Sequence, residues 1–215
     1  IMSISNPTIY NTSPVQAYVK FKGSVGKLEY KPKGEDPVLY DPDKLSFVVL
    51  DDSIGCITGF KKEPITSNKL RKENKDGVFN VFIGKTLFQS GKWKDIKDNV
   101  KSTGGNFTKL LYCYCVTTDT LVEFAIKKQA IVKWNEFLGT LGLKLHGGAG
   151  VGFTLDKVVE NTAGTTNYFE HDFKGALAKK PEVIEKSKEL DIILQNYLNI
   201  NLNKNVTNNT SSDSE

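Results

Sequence analysis

Apolar and polar residues alternate in short runs along much of the chain, and a period of two is typical of β-strands with one buried face. The runs that predict strands are Val15–Lys22, Lys27–Lys31, Leu45–Leu50, Ile54–Phe60, Val78–Ile83, Asn106–Val116 and Leu121–Ile126. Leu45–Leu50 is almost continuously apolar, which is typical of a strand buried on both faces. The polar Asp51-Asp52-Ser53 that follows has the composition of a turn, so we expect it to separate two strands.

A period of three to four residues, typical of amphipathic helices, replaces the alternation in three segments. Trp93, Ile96 and Val100 predict a short helix that Gly104-Gly105 ends. A second helix is predicted from the apolar stripe Ala130, Ile131, Trp134, Phe137, Leu138 and Leu141. A third is predicted over 181–198, beginning at Pro181, with an apolar face of Ile184, Leu190, Leu194 and Tyr197.

The glycine-rich stretch His146–Gly152 precedes two further alternating runs, Val151–Glu160 and Thr166–Lys174, which predict a hairpin. A flexible turn is the favoured interpretation of the glycines, and a close approach of the backbone to a ligand is the alternative. Many short strands with a few helices predict a mainly β protein, a small antiparallel barrel or sandwich with added helices.

One domain is predicted over 14–180, preceded by an extended arm at 1–13 and followed by the helix at 181–198. Residues 199–215 are rich in Asn, Ser and Thr and mildly acidic at the end, so we expect a disordered tail. The apolar runs are far shorter than a bilayer span. Ile1–Asn11 lacks the pattern of a signal peptide, so we expect a cytoplasmic protein, in the host cytoplasm if the gene is viral.

The composition is that of an ordinary globular protein, with 39% hydrophobic and 25% charged residues. Lysine and arginine total 29 against 25 acidic residues, a formal net charge of +4. This mild excess permits a polyanionic partner without requiring one.

No motif of catalysis or metal binding is evident, and we predict no enzyme, no cofactor and no metal. The glycine-rich stretch lacks the lysine of a phosphate-binding loop. Cys56, Cys113 and Cys115 are predicted to be reduced and structural, since their number is odd. In Glu170-His171-Asp172 neighbouring side chains point to opposite faces of a strand, so a solvated or capping histidine is favoured over acid–base chemistry. A turn likewise explains Asp51-Asp52 more simply than a Mg²⁺ site.

Aromatic residues interleaved with cations are the signal for a nucleic-acid partner, because single-strand binders combine a basic groove with rings on which bases stack. The candidate binding residues are Lys20, Phe21, Lys22, Lys61, Lys62, Lys69, Arg71, Lys72, Lys92, Trp93, Lys94, Tyr112, Tyr114, Tyr168, Phe173 and Lys174. The cations of Lys61–Lys75 fall in one predicted hairpin loop.

Each candidate has a structural alternative. Trp93 aligns with Ile96 and Val100, which favours packing over stacking. Tyr112 and Tyr114 share one face of their strand, and that face either lines a groove or belongs to the core. Lysines also commonly serve only to solvate a surface.

Several motifs occur in an order that resembles a group of tailed-phage proteins: Phe47–Asp51, Ile57–Phe60, Ser67-Asn68, Lys92–Lys97 and Gly104–Lys109. These look like the OB-fold single-stranded DNA-binding proteins of phage replication modules, and the similarity spans Pro14 to Phe137. It implies an OB-like antiparallel five-stranded barrel, cooperative coating of single strands in DNA replication or recombination, and no catalysis. The hairpin and helix after Val151 depart from the compact form of that group.

Three functions are therefore weighed, and single-stranded DNA binding is the first. Its partners would be the DNA, replication proteins recruited by the tail, and other copies of the chain in a homo-oligomer. A structural or virion β-barrel protein without nucleic-acid binding is the alternative. A nuclease ranks last, since no clustered carboxylates or histidines recur.

Overall fold

The computed structural model describes residues 12–74, 77–143, 147–176 and 180–207, with the backbone alone at 157, 163 and 203–207. Within these residues the strands are β1 Ala17–Lys22, β2 Lys27–Pro32, β3 Val38–Tyr40, β4 Phe47–Phe60, β5 Pro64–Ser67, β6 Leu70–Arg71, β7 Phe79–Ile83, β8 Thr86–Gly91, β9 Gly105–Cys115, β10 Thr120–Lys127, β11 Gly152–Ala163 and β12 Thr166–Gly175. The α-helices are α1 Trp93–Ser102, α2 Gln129–Thr140 and α3 Pro181–Thr207, and a short 3-10 helix spans Pro42–Lys44.

All twelve strands belong to one mixed sheet. The order along it is β3-β2-β1-β10-β9-β4-β5-β7-β8, with β6 and β11 also paired to β4, and β12 paired to β11. β1 and β10 run parallel, whereas the other pairs are antiparallel. Between the described residues of β3 and β8 there is no pairing that closes the sheet. The mainly β class, the added hairpin β11–β12 and the C-terminal helix are confirmed, and the closed five-stranded barrel stays a prediction.

The turn expected at Asp51-Asp52-Ser53 is absent from the described chain, because β4 continues through it as one strand of 14 residues. The pairing of β4 with β9 shifts register between Val49 and Asp51 and again between Asp51 and Ile54. Such bulges let a strand bend and redirect side chains without ending its ladder. The polar residues therefore mark a bend within β4, and the expectation of two separate strands was wrong.

The segment expected to be a hairpin loop after β4 contains two short strands. β5 and β6 both pair with β4, and Ile65 of β5 is buried. The prediction missed them because runs of two to four residues show too little alternation to be recognised. Lys75 lies outside the described residues.

Both faces of the central strands are covered. On one face, α2 and the β11–β12 hairpin enclose an aromatic core that includes Phe47, Phe124, Trp134, Phe153 and Phe173. On the other face, Leu194 and Leu198 of α3 pack against Leu50, Ile54 and Tyr112. A smaller cluster joins Ile96 and Val100 of α1 to Ile57, Ile65 and Val81.

The C-terminal helix is longer than the predicted 181–198, since α3 continues to Thr207. Arg71 Nη2 donates a hydrogen bond to Gln195 Oε1 at 2.9 Å, which ties the helix to β6. Residues 199–207 are therefore helical, contrary to the disordered tail expected there. The remaining tail, 208–215, and most of the predicted arm, 1–11, lie outside the described residues.

The three cysteines are free and buried, as predicted. Burial raises the pKa of the Cys56 thiol to about 11, so it stays protonated at neutral pH. No helix in the described ranges is long and apolar enough to span a membrane.

Candidate nucleic-acid interface

The bend in β4 directs the neighbouring carboxylates of Asp51 and Asp52 towards different partners. Asp52 accepts a hydrogen bond from the Trp134 indole Nε1 at 3.1 Å and pairs with Lys109 Nζ at 3.1 Å. Asp51 accepts from Gln195 Nε2 at 3.1 Å and pairs with Arg71 Nη1 at 3.4 Å. The two aspartates thus connect β4 to α2 on one side and to α3 on the other.

Asp52 is ionised in spite of its burial. Burial raises the pKa of this carboxyl, but the Lys109 charge and hydrogen bonds from Trp134, Lys109 and the Gly148 backbone bring the pKa below its usual value. The carboxylate is therefore a satisfied structural group and needs no bound metal ion to explain it.

The glycine-rich loop packs closely on the same aspartate. A Cβ at Gly148 would lie 2.5 Å from Trp134 Cζ2, and one at Gly147 would lie 2.9 Å from Asp52 Oδ1. Gly147 also has a φ of +80°, which favours glycine. Close approach to the protein itself accounts for both glycines, and His146 lies outside the described residues.

A cavity of about 710 Å³, called groove 1 below, runs beside the bend. It brings together two basic segments that are separate in the sequence. Its charged and aromatic lining residues are Asp52, Arg71, Lys72, Lys92, Trp93, Lys94, Phe79, Phe107 and Lys109. Asp52 is the one carboxylate among the described lining residues, against five cations.

The cations of groove 1 differ in how firmly they are held. Arg71 and Lys109 are partly buried and form ion pairs with Asp51 and Asp52. Lys72 and Lys94 are exposed. Arg71 and Lys109 are therefore a fixed part of the groove wall, whereas the side chains of Lys72 and Lys94 can move to contact a ligand.

Trp93 both packs and lines groove 1. Its ring centroid lies 5.9 Å from that of Phe107, and the side chain is half-buried. Phe107 in turn lies against Gly55, where a Cβ would be 2.6 Å from Phe107 Cζ. The packing interpretation of Trp93 is correct, and part of the residue still faces the cavity.

A second cavity of about 790 Å³, called groove 2 below, lies at the amino-terminal end of α2, where Gln129, Ala130 and Lys133 line it. Three sequence candidates line it, namely Lys20, Phe21 and Tyr168. Its other charged and aromatic lining residues are Phe60, Phe124, Lys127, Lys128, Lys133, Phe169, Glu170 and His171.

His171 is buried, not solvated or capping as expected. The side chain is 4% exposed and meets the rings of Phe21 and Phe173 edge-on, with centroids 4.6 and 5.0 Å away. Burial lowers its pKa to about 4, and the Lys133 charge adds to that fall, whereas a backbone hydrogen bond and the charge of Asp172 oppose it, so the ring is neutral at neutral pH. Alternation along β12 correctly placed His171 on the face opposite Glu170 and Asp172. That face is buried, however, and not exposed to solvent as expected.

Three aromatic candidates lie in the core and have no exposed face for stacking. Tyr112 is 0% exposed, and its hydroxyl accepts a hydrogen bond from Lys69 Nζ at 2.9 Å. Tyr114 donates to Asp119 Oδ1 at 2.8 Å, and burial raises its pKa to about 12. Phe173 belongs to the aromatic core. The tyrosine face of β9 is core because α3 covers it.

Lys20, Lys22 and Lys69 are paired within the protein. Lys20 and Lys22 lie 2.7 and 3.2 Å from the carboxylate of Glu29, and the hydrogen bond from Lys20 is the main cause of the lowered pKa of Glu29. Lys69 pairs with Glu123 at 2.5 Å. These lysines have local structural partners and are less available to a phosphate.

Lys61, Lys62 and Lys174 are exposed and line neither groove. Lys61 and Lys62 lie in the turn between β4 and β5, and Lys174 lies 3.8 Å from Asp156. The hairpin-loop cations are thus divided: Arg71 and Lys72 reach groove 1, and Lys61 and Lys62 do not.

Sequence reasoning missed Phe107, Lys109, Phe60, Lys127 and Lys128. Phe107 and Lys109 are two apart in β9, so the alternation already placed an aromatic and a cation on one face. Lys127 and Lys128 form a pair at the end of β10, which was also visible. Phe60 carried no separate signal, because it ends an otherwise apolar strand.

The described residues contain no group of three or more histidine, cysteine or acidic side chains placed to hold a metal ion. Comparisons with protein-family models, with curated proteins and with solved structures give no significant match to the chain. The resemblance to phage single-stranded DNA-binding proteins therefore stays a prediction, and the function is argued from the two grooves.

Proposed function

We propose that the protein binds single-stranded DNA without catalysis, with the strand lying in groove 1. The observation that carries the proposal is the meeting of five cations and one carboxylate in a single cavity that also has three aromatic rings. The phosphates of DNA bind favourably where cations are in such excess, because lysine and arginine side chains that contact phosphates release counterions from the DNA.

The aromatic rings favour a single strand over a duplex. Trp93 is partly exposed beside the exposed Lys72 and Lys94, and bases of an unpaired strand offer open faces to such a ring. Stacking of this kind is worth about 1–3 kcal/mol per base and tolerates any sequence. A coating protein of DNA replication or recombination requires that tolerance.

The OB-like barrel implied by the resemblance is compatible with this proposal but is not required by it. Groove 1 is lined by the bent β4, its neighbour β9, the β6 segment, the starts of β7 and α1, and α2. Cooperative association of copies along a strand, recruitment of replication proteins by the tail and a cytoplasmic location stay predictions.

Charge reversal in the groove tests the proposal. Binding of a fluorescein-labelled oligo-dT would be followed by anisotropy at ~50 and ~200 mM salt, with wild type and the K72E/K94E variant. We expect affinity to fall at least about tenfold at low salt. The slope of log affinity against log salt should shrink by about 1.4, since each lost phosphate contact to a single strand removes about 0.7.

The matched control is K85E/K188E, which changes the net charge equally. Lys85 lies between β7 and β8, Lys188 lies on α3, and both are exposed and outside groove 1. An equal loss in the control would show that net charge alone matters and would overturn the site. Wild-type protein that fails to bind at low salt but forms defined oligomers would favour the structural or virion alternative.

A further inference from the structure

The sheet has two free edges. β3 and β8 are its end strands, and no strand in the described part of the chain pairs with the outer side of either. An edge strand presents a row of unpaired backbone N–H and C=O groups, and a strand of another chain can pair with that row. The sheet can therefore continue across copies of the chain at these two edges.

Both edge strands have exposed apolar side chains. Val38 and Leu39 of β3 are 48% and 50% exposed, and Leu87 and Phe88 of β8 are 53% and 40% exposed. In β3 the neighbouring side chains point to opposite faces, so neither face of that strand is covered. Contact with a second copy would remove this apolar surface from water, which favours association.

Acidic residues flank the β3 edge. Glu35 and Asp36 precede β3, are exposed and form no ion pair with another described residue. Asp41 follows β3 and pairs with Lys27 through Oδ1, whereas its Oδ2 has no hydrogen-bond partner among the described residues. Lys33 donates a hydrogen bond to a backbone carbonyl near the start of the described chain. A cation that approaches this edge therefore meets a carboxylate at each end of the strand.

Lysines flank the β8 edge. Lys85 directly precedes β8, is exposed and forms no ion pair with another described residue. Lys92 directly follows β8, and the exposed Lys94 comes two residues later. The two free edges of the sheet therefore carry flanking charges of opposite sign.

The path through the sheet determines how two copies can join. Seven of the eight pairings from β3 to β8 are antiparallel and one is parallel, so the two end strands run in opposite directions. If a second copy continues the sheet, its β3 lies antiparallel to β8 of the first copy. The acidic start of β3 then meets Lys92 at the end of β8. At the other end of the ladder, Asp41 meets Lys85, and opposite charges across a strand pair are stabilising.

Pairing of like edges brings like charges together instead. Two antiparallel β8 strands place Lys85 of one copy near Lys92 of the other, and two β3 strands bring their flanking acids together. Like charges opposite one another destabilise a strand pair, and charged edges are a common protection against such pairing. The charges therefore oppose a two-fold dimer through either edge, and they favour contact between unlike edges.

We infer that copies of the chain associate head to tail, with β3 of one copy paired antiparallel to β8 of the next. Such a contact leaves one free edge at each end, so association is open-ended and gives a series of oligomers. Pro37 directly before β3 and Pro42 shortly after it cannot donate hydrogen bonds, which confines the ladder to the three residues of β3. The contact is therefore small and weak. The inference does not rest on the proposed function.

Sedimentation velocity of the full chain without DNA, from about 10 μM to about 1 mM, would measure the association. We expect the average mass to rise with concentration without levelling off at the dimer. In ¹H–¹⁵N spectra over the same range, the amide signals of β3 and β8 should shift while those of α3 stay in place. A monomer throughout, or a mass that levels off at the dimer, would overturn the inference.

A charge swap tests which edges meet. K85E and D41K each place like charges at one end of the ladder, so each variant alone should associate at least about threefold more weakly than the wild type. Their equimolar mixture has opposite charges in both kinds of contact and should associate as the wild type does. Both substitutions are at exposed positions, so the thermal midpoint should not change. Stronger association of K85E alone would show that two β8 edges pair, and a mixture that does not recover would equally contradict head-to-tail contact.

The apolar part of the contact has a matched control. L87S removes an exposed apolar side chain from β8 and should weaken association at least about threefold. I192S changes a 65% exposed residue of α3 and should leave association unchanged. Equal losses in both variants would show that the copies associate through non-specific apolar contact, and the inference would then be wrong.

The outcome is separable from DNA binding in groove 1. All of these measurements omit DNA, so their failure leaves the proposed function in place. K72E/K94E should associate as the wild type does even if it no longer binds oligo-dT. K85E in turn should bind normally to an oligo-dT that is too short for two copies.

Discussion

The two grooves lie at α2 but are built in opposite ways. Groove 1 receives most of its cations from two compact stretches of sequence, around Arg71 and around Trp93. Groove 2 is assembled from β1, the end of β4, the start of α2 and β12, which are far apart along the chain. A local basic cluster can be recognised in the sequence, whereas a site assembled from distant segments appears only in the fold.

The polar groups behind the two grooves also differ. Asp52 in the wall of groove 1 has partners in Lys109, Trp134 and the Gly148 backbone. His171 in the wall of groove 2 has an unpaired Nδ1 among the described residues. A satisfied buried group mainly stabilises the fold, whereas a buried polar atom without a partner costs free energy that other contacts have to offset.

Removing Asp52 should give the largest effect of this comparison. D52A leaves the ammonium of Lys109 and the indole N–H of Trp134 without their shared acceptor. Loss of one partner of a buried ion pair costs about 3–5 kcal/mol, and urea unfolding would measure that fall in the free energy of unfolding.

The control for D52A is D43A. The Asp43 side chain is 65% exposed, and its one ion pair with a described residue is to its neighbour Lys44 at 3.5 Å, so stability should change by less than about 0.5 kcal/mol. A loss below about 1 kcal/mol in D52A would contradict the structural role assigned to this carboxylate.

Acid should destabilise the protein through His171. Its pKa is lowered from 6.5 to about 4 by burial, so between these values the unfolded chain binds a proton that the folded protein does not. Stability is therefore full above about pH 6.5 and falls as the pH drops towards 4, by about 3 kcal/mol in total.

Urea unfolding of wild type and H171F at a series of pH values would check this window. The carboxylates titrate in both proteins, so the difference between the two isolates the histidine. We expect H171F to become relatively more stable by about 3 kcal/mol from pH 7 to 4. A difference that does not vary with pH would show that His171 can be protonated in the folded protein.

A substitution to glycine directly before α2 should change the free energy of unfolding least, and the direction of that change tests whether Lys128 is strained. K128G relieves the strained φ of 48° and should raise stability by about 1 kcal/mol. K127G removes an equal charge from the same groove, but it places glycine in β10, and should lower stability by about 0.5–1 kcal/mol. Urea unfolding of both variants would test this, and a loss of stability in K128G would contradict the strain.

Much of the secondary structure was predictable, because each element is encoded by its own periodicity. Trp93, Ile96 and Val100 placed α1, and the alternation in Asn106–Val116 placed β9. The prediction failed at Asp51-Asp52, because a pair of polar residues is equally compatible with a turn and with a bulge. Only the ladder between β4 and β9 distinguishes the two.

The candidate site was predicted in part for a related reason. Arg71, Lys72 and Lys94 were identified and lie together in groove 1. Tyr112 and Tyr114 were interpreted as possible stacking rings, yet α3 buries them. Alternation shows which residues share a face, but not whether a distant element covers that face.

By itself the sequence determined the mainly β class, the three helices, the reduced cysteines and the clustering of cations around Arg71 and Trp93. The tertiary structure alone decided that Asp51 and Asp52 hold opposite sides of the sheet and that Tyr112 is core. It also placed His171, Phe60 and Lys128 around one cavity. The physical reason is range: periodicity and charge clusters act between neighbours in the chain, whereas burial and pairing depend on residues that folding brings together.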